Sequence, residues 1–294
     1  MYQRLFESVD ERLRVLGHRY FHIYLIEGKG ASALVEMGIS ATADMVIGQL
    51  SQLGVRPDYL VVTHPHSDHI AGLDALREAF PHAVVIAGQR AATFLDHPKT
   101  AESLVREDRY MSSFVVDQGL TSGRPPISRS PSLSNCVVMT AGDKLDLGEV
   151  EINFMVARGH SPGNLIVHIP VLSAVLASDS LGYRVSGLGF FPIFFTGYMD
   201  YLATIDAVES LNPDILGLAH NVFVKGPDVK KILHEAREAA RNIRRRILND
   251  RREDEAVAQE LARDYHRDEL TLYSGENMLG CCRLIVKRVR EQRD

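Results

Sequence analysis

Short apolar runs alternate with amphipathic stretches along the first part of the chain. Residues 41–53 place Met45, Val46, Leu50 and Leu53 at helical spacing and end at Gly54, as an amphipathic helix does. Strands are predicted over residues 20–26, 33–37, 59–62 and 83–87, and helices over residues 41–53 and 70–80. Strands that alternate with helices, with β-hairpins between them, indicate a mixed α/β architecture.

A second series of apolar runs begins after residue 135 and is punctuated by Gly142 and Gly148. Antiparallel strands are predicted over residues 136–140, 144–147, 150–156, 165–169 and 174–177, then a helix over 201–211 and a strand over 215–218. Beyond Pro227 the pattern is helical to the end. We therefore expect one domain over residues 1–225 and a C-terminal helical region over residues 226–294.

An insertion of about residues 101–135 separates the two series. Residues 101–120 are charged and helix-like, and residues 121–135 are rich in Ser, Pro, Arg and Gly, which is typical of a mobile loop. The insertion either covers a site or is a surface connector.

Composition narrows the class of protein. The 294 residues are 45% hydrophobic and 24% charged, as in ordinary globular proteins, and the formal net charge of −5 disfavours a nucleic-acid partner. The basic runs near Arg244 and Arg251 are typical of a solvated helix face. No apolar run approaches the length of a membrane span, residues 1–7 lack a signal-peptide core, and three cysteines cannot form a disulfide framework. A cytoplasmic protein without a membrane partner is expected.

A dense cluster of metal-ligand side chains follows the strand predicted at residues 59–62. The segment Thr63–Gly72 reads Thr-His-Pro-His-Ser-Asp-His-Ile-Ala-Gly, with His64, His66, Asp68 and His69 inside six positions. Imidazole and carboxylate groups are ligands for zinc, iron or manganese, and at a strand end His64 and His66 can point the same way. The cluster predicts a metal site.

Three later side chains have the same chemistry at strand ends. His160 lies in the loop Gly-His-Ser-Pro-Gly, Asp179 follows the strand ending at Ala177, and His220 follows the strand ending at Leu218. Taken singly, each has an ordinary alternative: a turn histidine, a capping aspartate or a core histidine. Together they place ligand-type residues at one edge of a layered α/β protein, where sites assemble.

These residues, in this order, resemble the metallo-β-lactamase-fold hydrolase superfamily over about residues 18–225. The resemblance implies an αββα sandwich, here with a C-terminal helical extension, and a centre of two divalent metal ions (zinc, iron or manganese). By the family pattern His64, His66 and His160 hold one metal, Asp68, His69 and His220 hold the other, and Asp179 bridges them.

Within the superfamily the chain is similar to the quinolone-signal response thioesterase and to glyoxalase II. That similarity is based on Leu34–Ser40, the helix-like insertion and the helical tail with Ser274–Asn277. Two positions depart from the pattern: Glu36 stands where many relatives have an aspartate behind the ligands, and Ala219 replaces a glycine before the last histidine.

The hypothesis from these residues is a hydrolase whose nucleophile is a metal-bridging hydroxide, with Asp68 and Asp179 as catalytic residues. A thioesterase or related ester hydrolase is the first candidate. A lactonase, a phosphodiesterase or a nuclease of the same superfamily is the second, and a signalling or binding protein that keeps the metal fold is the third. β-Lactamase activity is disfavoured by the expected cytoplasmic setting.

The segment Leu188–Tyr198 is the candidate wall of a substrate pocket. It is broken by glycine and proline and carries Phe190, Phe191, Phe194, Phe195 and Tyr198. These side chains either line an apolar pocket for a small-molecule ester or thioester, such as an acyl thioester of coenzyme A, or pack in a core or a dimer contact. A homodimer formed through the tail helices is possible in this sequence, with the candidate contact residues Leu261, Leu270, Leu272 and Leu279.

Overall fold

The computed structural model of the protein describes residues 7–291. Contacts divide the chain into two compact units. The first runs to Val156 and includes Pro162–Val171, and the second contains Ala157–Ser161 and the chain from Leu172 onward. The N-terminal residues 1–6, on which the absence of a signal peptide was argued, lie outside the described part.

A seven-stranded sheet forms the centre of the first unit. Its order follows the chain: β1 (Glu7–Asp10), β2 (Leu13–His18), β3 (Phe21–Glu27), β4 (Ser32–Val35), β5 (Tyr59–Val62), β6 (Val84–Gly88) and β7 (Val137–Met139). β1–β4 are antiparallel, which confirms the predicted hairpin, and β4–β7 are parallel. The prediction that β7 belongs to an antiparallel set was wrong, because helices cross over between β6 and β7 and return the chain in the same direction.

Five helices belong to the first unit: α1 (Ala43–Leu53), α2 (Ser67–Ile70), α3 (Leu73–Ala79), α4 (Ala91–Leu95) and α5 (Pro98–Asp117). The α1 helix buries Val46 and Leu50 in the same apolar cluster as Leu60 and Val62 of β5. It ends at Gly54, whose φ of 70° closes the last turn with an N–H bond to the Leu50 carbonyl. The apolar stripe that predicted α1 therefore packs it into the core that also holds β5.

The insertion is an ordered part of the first unit. The buried Asp108 carboxylate on α5 accepts hydrogen bonds from the Ser40 N–H at 3.0 Å and hydroxyl at 2.7 Å, and from the Ile127 N–H at 2.9 Å. Arg124 pairs with Asp44 of α1 and Glu78 of α3. The composition of residues 121–135 predicted a mobile loop, whereas these contacts fix the segment to α1 and α3.

A three-stranded antiparallel meander completes the first unit. It consists of β8 (Lys144–Asp146), β9 (Glu151–Val156) and β10 (Leu165–Ile169), as the sequence predicts. The first residue of β10, Leu165, donates its N–H to the Thr63 carbonyl at 2.8 Å. That bond anchors the backbone where β5 ends and the histidine cluster begins.

The second unit combines short strands with helices. Its elements are β11 (Ala174–Leu176), β12 (Tyr183–Val185), β13 (Gly189–Phe191), α6 (Tyr198–Ser210), β14 (Ile215–Gly217), β15 (Phe223–Lys225), α7 (Pro227–Asn249), α8 (Asp254–Tyr265) and α9 (Gly275–Glu291). β12 and β13 form a hairpin, and β15 is antiparallel to β14. β11 pairs parallel with β14, since α6 lies between them in the chain.

The predicted helical tail is confirmed as α7–α9. Three of its candidate dimer residues, Leu261, Leu270 and Leu272, are buried inside the second unit and cannot meet a partner. Part of the basic charge is offset within the tail, because Arg246 pairs with Glu260 and Asp264. These helices belong to the same compact unit as residues 172–225, and the domain boundary at residue 225 stays a prediction.

Across residues 7–291, no helix combines the length and the apolar character that crossing a membrane requires.

Candidate metal centre

The first unit gathers four donors where β5 ends. His64 and His66 follow the strand, and the single turn α2 carries Asp68 and His69. The nearest ring nitrogens of His64 and His66 are 3.1 Å apart, and His69 Nε2 lies 3.4 Å from the Asp68 carboxylate. The backbone at Gly72 lies close to residue 37. A Cβ on Gly72 would be 2.2 Å from the Met37 carbonyl oxygen, so only glycine fits.

Glu36 orients this cluster from behind. Its buried carboxylate accepts a hydrogen bond from His69 Nδ1 at 2.8 Å and from the Thr63 hydroxyl at 2.9 Å. Because Nδ1 donates its proton to Glu36, the lone pair of His69 lies on Nε2, the atom that faces Asp68. Glu36 thus supplies the carboxylate that the family pattern expects behind the ligands.

The second unit gathers three donors, with His160 and His220 on either side of the Asp179 carboxylate. His160 Nε2 lies 3.7 Å from one oxygen of this buried carboxylate, and His220 Nε2 lies 3.3 Å from the other. His160 Nδ1 donates to the Ile193 carbonyl at 2.7 Å, which again leaves the Nε2 lone pair toward the carboxylate. The turn before His160 needs Gly159, because a Cβ there would lie 2.4 Å from the Tyr201 backbone nitrogen.

Left-handed backbone recurs next to the donors. Glu36 has a φ of 73°, Ser178 before Asp179 a φ of 50°, and Asn221 after His220 a φ of 53°. Residues other than glycine adopt this conformation at an energetic cost, and such residues are frequent at functional sites. The backbone therefore turns sharply at three of the places that set the donors' positions.

Aromatic rings surround the donors of the second unit. The buried Tyr183 ring stacks on His220 with centroids 4.7 Å apart, and the half-buried Phe195 ring lies 5.2 Å from His160. The Tyr273 hydroxyl, from the tail, is 3.5 Å from His220 Nε2. Tyr183 and Tyr273 cannot be identified from the sequence, since neither has a local motif and Tyr273 lies 53 residues beyond His220.

The aromatic segment predicted as a pocket wall is placed mostly in the interior. Phe190, Phe191, Phe194 and Tyr198 are buried in the second unit. The Phe191 ring packs on Tyr265, and the Phe194 ring packs on Tyr198 and Tyr201. Of the five side chains, Phe195 is the one whose ring contacts a donor histidine.

A groove of about 630 Å³ lies beside the donors of the first unit. Its lining residues are Arg90, Thr93, Phe94, His97, Thr100 and Pro162. The Phe94 ring is 6.3 Å from the His66 ring, so the groove begins next to a donor. Among the described residues, the exposed Arg90 makes no ion pair, and its guanidinium remains available to an anion.

The donor chemistry fits divalent metal ions. Within each unit, donor atoms lie within 4.8 Å of each other in four pairs: His64 with His66, Asp68 with His69, His160 with Asp179, and Asp179 with His220. Buried imidazoles with Nδ1 bonded elsewhere and buried carboxylates are the ligand set that zinc, iron and manganese accept. Both clusters therefore suit metal binding.

Comparison with known proteins agrees with this chemistry. The family model of the metallo-β-lactamase superfamily matches residues 19–220. The uncharacterized protein YobT of Bacillus subtilis is 25% identical over 218 residues, which are 69% of this chain and 84% of that protein. The acyl-coenzyme A thioesterase MBLAC2 of Gallus gallus is 24% identical over 218 residues, 69% of this chain and 71% of that protein.

Further similarity extends to hydroxyacylglutathione hydrolases and to solved structures. The hydroxyacylglutathione hydrolase of Ruegeria pomeroyi is 24% identical over 166 residues, 56% of this chain and about half (49%) of that enzyme. An archaeal metallo-β-lactamase superfamily protein from Sulfolobus tokodaii superposes with a TM-score of 0.60 at 18% identity, over 93% of this chain and 94% of that chain. The match of one family model across both groups of strands and donors confirms the resemblance: this chain belongs to the metallo-β-lactamase superfamily and has its α/β fold of mixed sheets and helices, with C-terminal helices.

Proposed function

We propose that this protein is a hydrolase that uses two divalent metal ions to cleave a thioester or a related ester. The main support for this proposal is the hydrogen bonding of the donor histidines His69 and His160. His69 and His160 are buried, each gives its Nδ1 proton to a fixed acceptor, and each presents Nε2 beside a carboxylate. Such pre-arranged histidines suit metal binding, and the superfamily consists mostly of hydrolases.

The family pattern assigns roles to the seven donors. His64, His66 and His160 would hold one ion, Asp68, His69 and His220 the other, and Asp179 both. When bound, the ions would supply an activated water as nucleophile and would stabilise negative charge on the substrate oxygen. Asp68 would accept a hydrogen bond from the attacking water and orient it.

Three observations support an acyl thioester as substrate. Two relatives are named as an acyl-coenzyme A thioesterase and a hydroxyacylglutathione hydrolase. The half-buried Phe195 beside His160 offers an apolar surface to an acyl chain. The groove beside His66 offers room for a carrier, and Arg90 offers a cation for its anionic groups.

A nuclease is disfavoured by charge. The net charge is −5, and one arginine of each basic run is paired with carboxylates: Arg246 with Glu260 and Asp264, and Arg252 with Asp250 and Glu260. A nucleic-acid groove needs a continuous positive surface. No specific contact favours a lactonase or a purely signalling role over the thioesterase.

The test is hydrolysis by zinc-, iron- or manganese-loaded protein of three substrate classes: acyl-coenzyme A thioesters, phosphodiesters and acyl lactones. We expect thioester cleavage to exceed the other two by at least about tenfold in kcat/KM. His64→Ala should abolish both activity and bound metal, whereas the exposed His82→Ala should keep both. Preferential phosphodiester or lactone cleavage would refute the thioesterase assignment, and full activity of His64→Ala would refute the metal mechanism.

A further inference from the structure

Tyr273 brings the C-terminal region to the donor cluster of the second unit. Its hydroxyl oxygen is 3.5 Å from His220 Nε2, the same atom that lies 3.3 Å from Asp179. Its ring meets the Tyr183 ring edge-on, with centroids 5.9 Å apart, while Tyr183 stacks on His220. A phenol from the tail therefore stands beside the ligand nitrogen of a candidate metal donor.

The backbone around Tyr273 is held on both sides. The Tyr273 carbonyl accepts a hydrogen bond from His266 Nε2 at 2.9 Å, and the next residue, Ser274, caps α9 by accepting from the Asn277 N–H at 3.1 Å. Glu269 accepts hydrogen bonds from the Ser186 N–H and hydroxyl, which fastens the turn before Tyr273 to the β12–β13 hairpin. A side chain placed this firmly can act without reorganisation.

Exposure distinguishes Tyr273 from its neighbours. Tyr183 is 2% exposed and Tyr201 is fully buried, so neither ring can offer much surface to a substrate. Tyr273 is half-buried, with part of its side chain open to solvent. Of the three tyrosines near Asp179 and His220, Tyr273 is the one that an incoming molecule can touch.

We propose that Tyr273 is a catalytic residue that donates a hydrogen bond to the oxygen of the scissile carbonyl. The inference rests on the proposed function, because a substrate carbonyl drawn to a metal ion at His220 would come next to the Tyr273 hydroxyl. A substrate oxygen that gains negative charge is a strong acceptor for that O–H group. The tail thereby completes the catalytic site.

The decisive variant is Tyr273→Phe, which removes one oxygen and keeps the ring. We expect kcat for decanoyl-coenzyme A to fall about 100-fold, the scale of one lost oxyanion donor, with KM within about threefold. Zinc content and zinc affinity, measured by chelator competition, should be unchanged. Tyr265→Phe is the matched control, a half-buried tyrosine of the same unit that packs on Phe191, and it should keep wild-type kcat.

Two results would overturn the role of Tyr273: wild-type kcat in Tyr273→Phe, or a loss of kcat that follows a loss of zinc. A failure of the proposed function is distinguishable, because the wild-type protein would then not hydrolyse decanoyl-coenzyme A. In that case the probe is decanoate, titrated calorimetrically into the zinc-loaded protein. About tenfold weaker binding by Tyr273→Phe supports the hydrogen bond, while equal binding or no binding by either protein overturns it.

Discussion

At the scale of single residues, Glu36 shows how a glutamate can replace the aspartate of the family pattern. The side chain is one methylene longer than aspartate, and its backbone adopts a left-handed φ of 73°. With this turn the carboxylate reaches both His69 Nδ1 and the Thr63 hydroxyl. The longer side chain of Glu36 can therefore accept the hydrogen bond that orients His69.

Glu36→Gln tests that role. The amide keeps the size of the side chain but removes the charge that orients His69, so we expect zinc affinity to fall about 10- to 100-fold. The matched control is Glu27→Gln, a glutamate at the end of β3 that pairs with Arg14. Chelator competition on both variants gives the answer, and equal zinc affinities would show that Glu36 has no part in metal binding.

The sequence reveals some site residues and conceals others for a physical reason. His64, His66, Asp68 and His69 are conspicuous because four donors stand in one short segment. Contacts with His220 and His160 that are distant in sequence involve Tyr273, Tyr183 and the Ile193 carbonyl, and the residues next to these three carry no donor pattern. Such contacts exist only once the chain has folded.

At the scale of elements, most helices and strands follow from hydrophobic spacing. The predicted strand at residues 59–62 is β5 with the same bounds, and the helix predicted at residues 41–53 is α1 with a short turn before it. Spacing predicted no strand at β1, β2, β12, β13 and β15, which are short or mixed in polarity and depend on pairing with neighbours. Hydrophobic spacing also did not predict that β7 pairs parallel with β6 or that β11 pairs parallel with β14. The direction of these strands depends on the helices that connect them.

The insertion offers a test of packing at this scale. Asp108→Ala leaves the Ser40 and Ile127 N–H groups without their buried acceptor, so we expect the free energy of unfolding to fall by about 3 kcal/mol. Burial raises the pKa of Asp108 above its ordinary value, and its hydrogen bonds offset only part of that rise. Asp117→Ala, an exposed aspartate at the end of the same helix, should change the free energy by less than about 0.5 kcal/mol.

Urea unfolding of the zinc-saturated variants measures both changes. Equal stability of the two variants would mean that residues 118–136 are not held by Asp108. In that outcome the mobile loop predicted from composition would be the better description of the insertion.

At the scale of the whole molecule, the family fold is the part that the sequence predicts best. Seven donor side chains occur in the family order from His64 to His220, and one family model matches residues 19–220. The substrate is harder to predict, since four of the five expected wall residues pack in the interior and Phe195 alone contacts a donor ring. The donor residues predict metal binding from the sequence alone. The surfaces that select a substrate depend on how the folded chain is arranged.

A crystal structure of the protein with zinc would show whether the seven side chains hold a pair of metal ions. Anomalous scattering at the zinc edge should show two peaks, one bonded to His64, His66 and His160, the other to Asp68, His69 and His220, with Asp179 bonded to both. Zinc bound away from these residues, or His160, Asp179 and His220 without any zinc in a crystal grown in excess metal, would contradict the account.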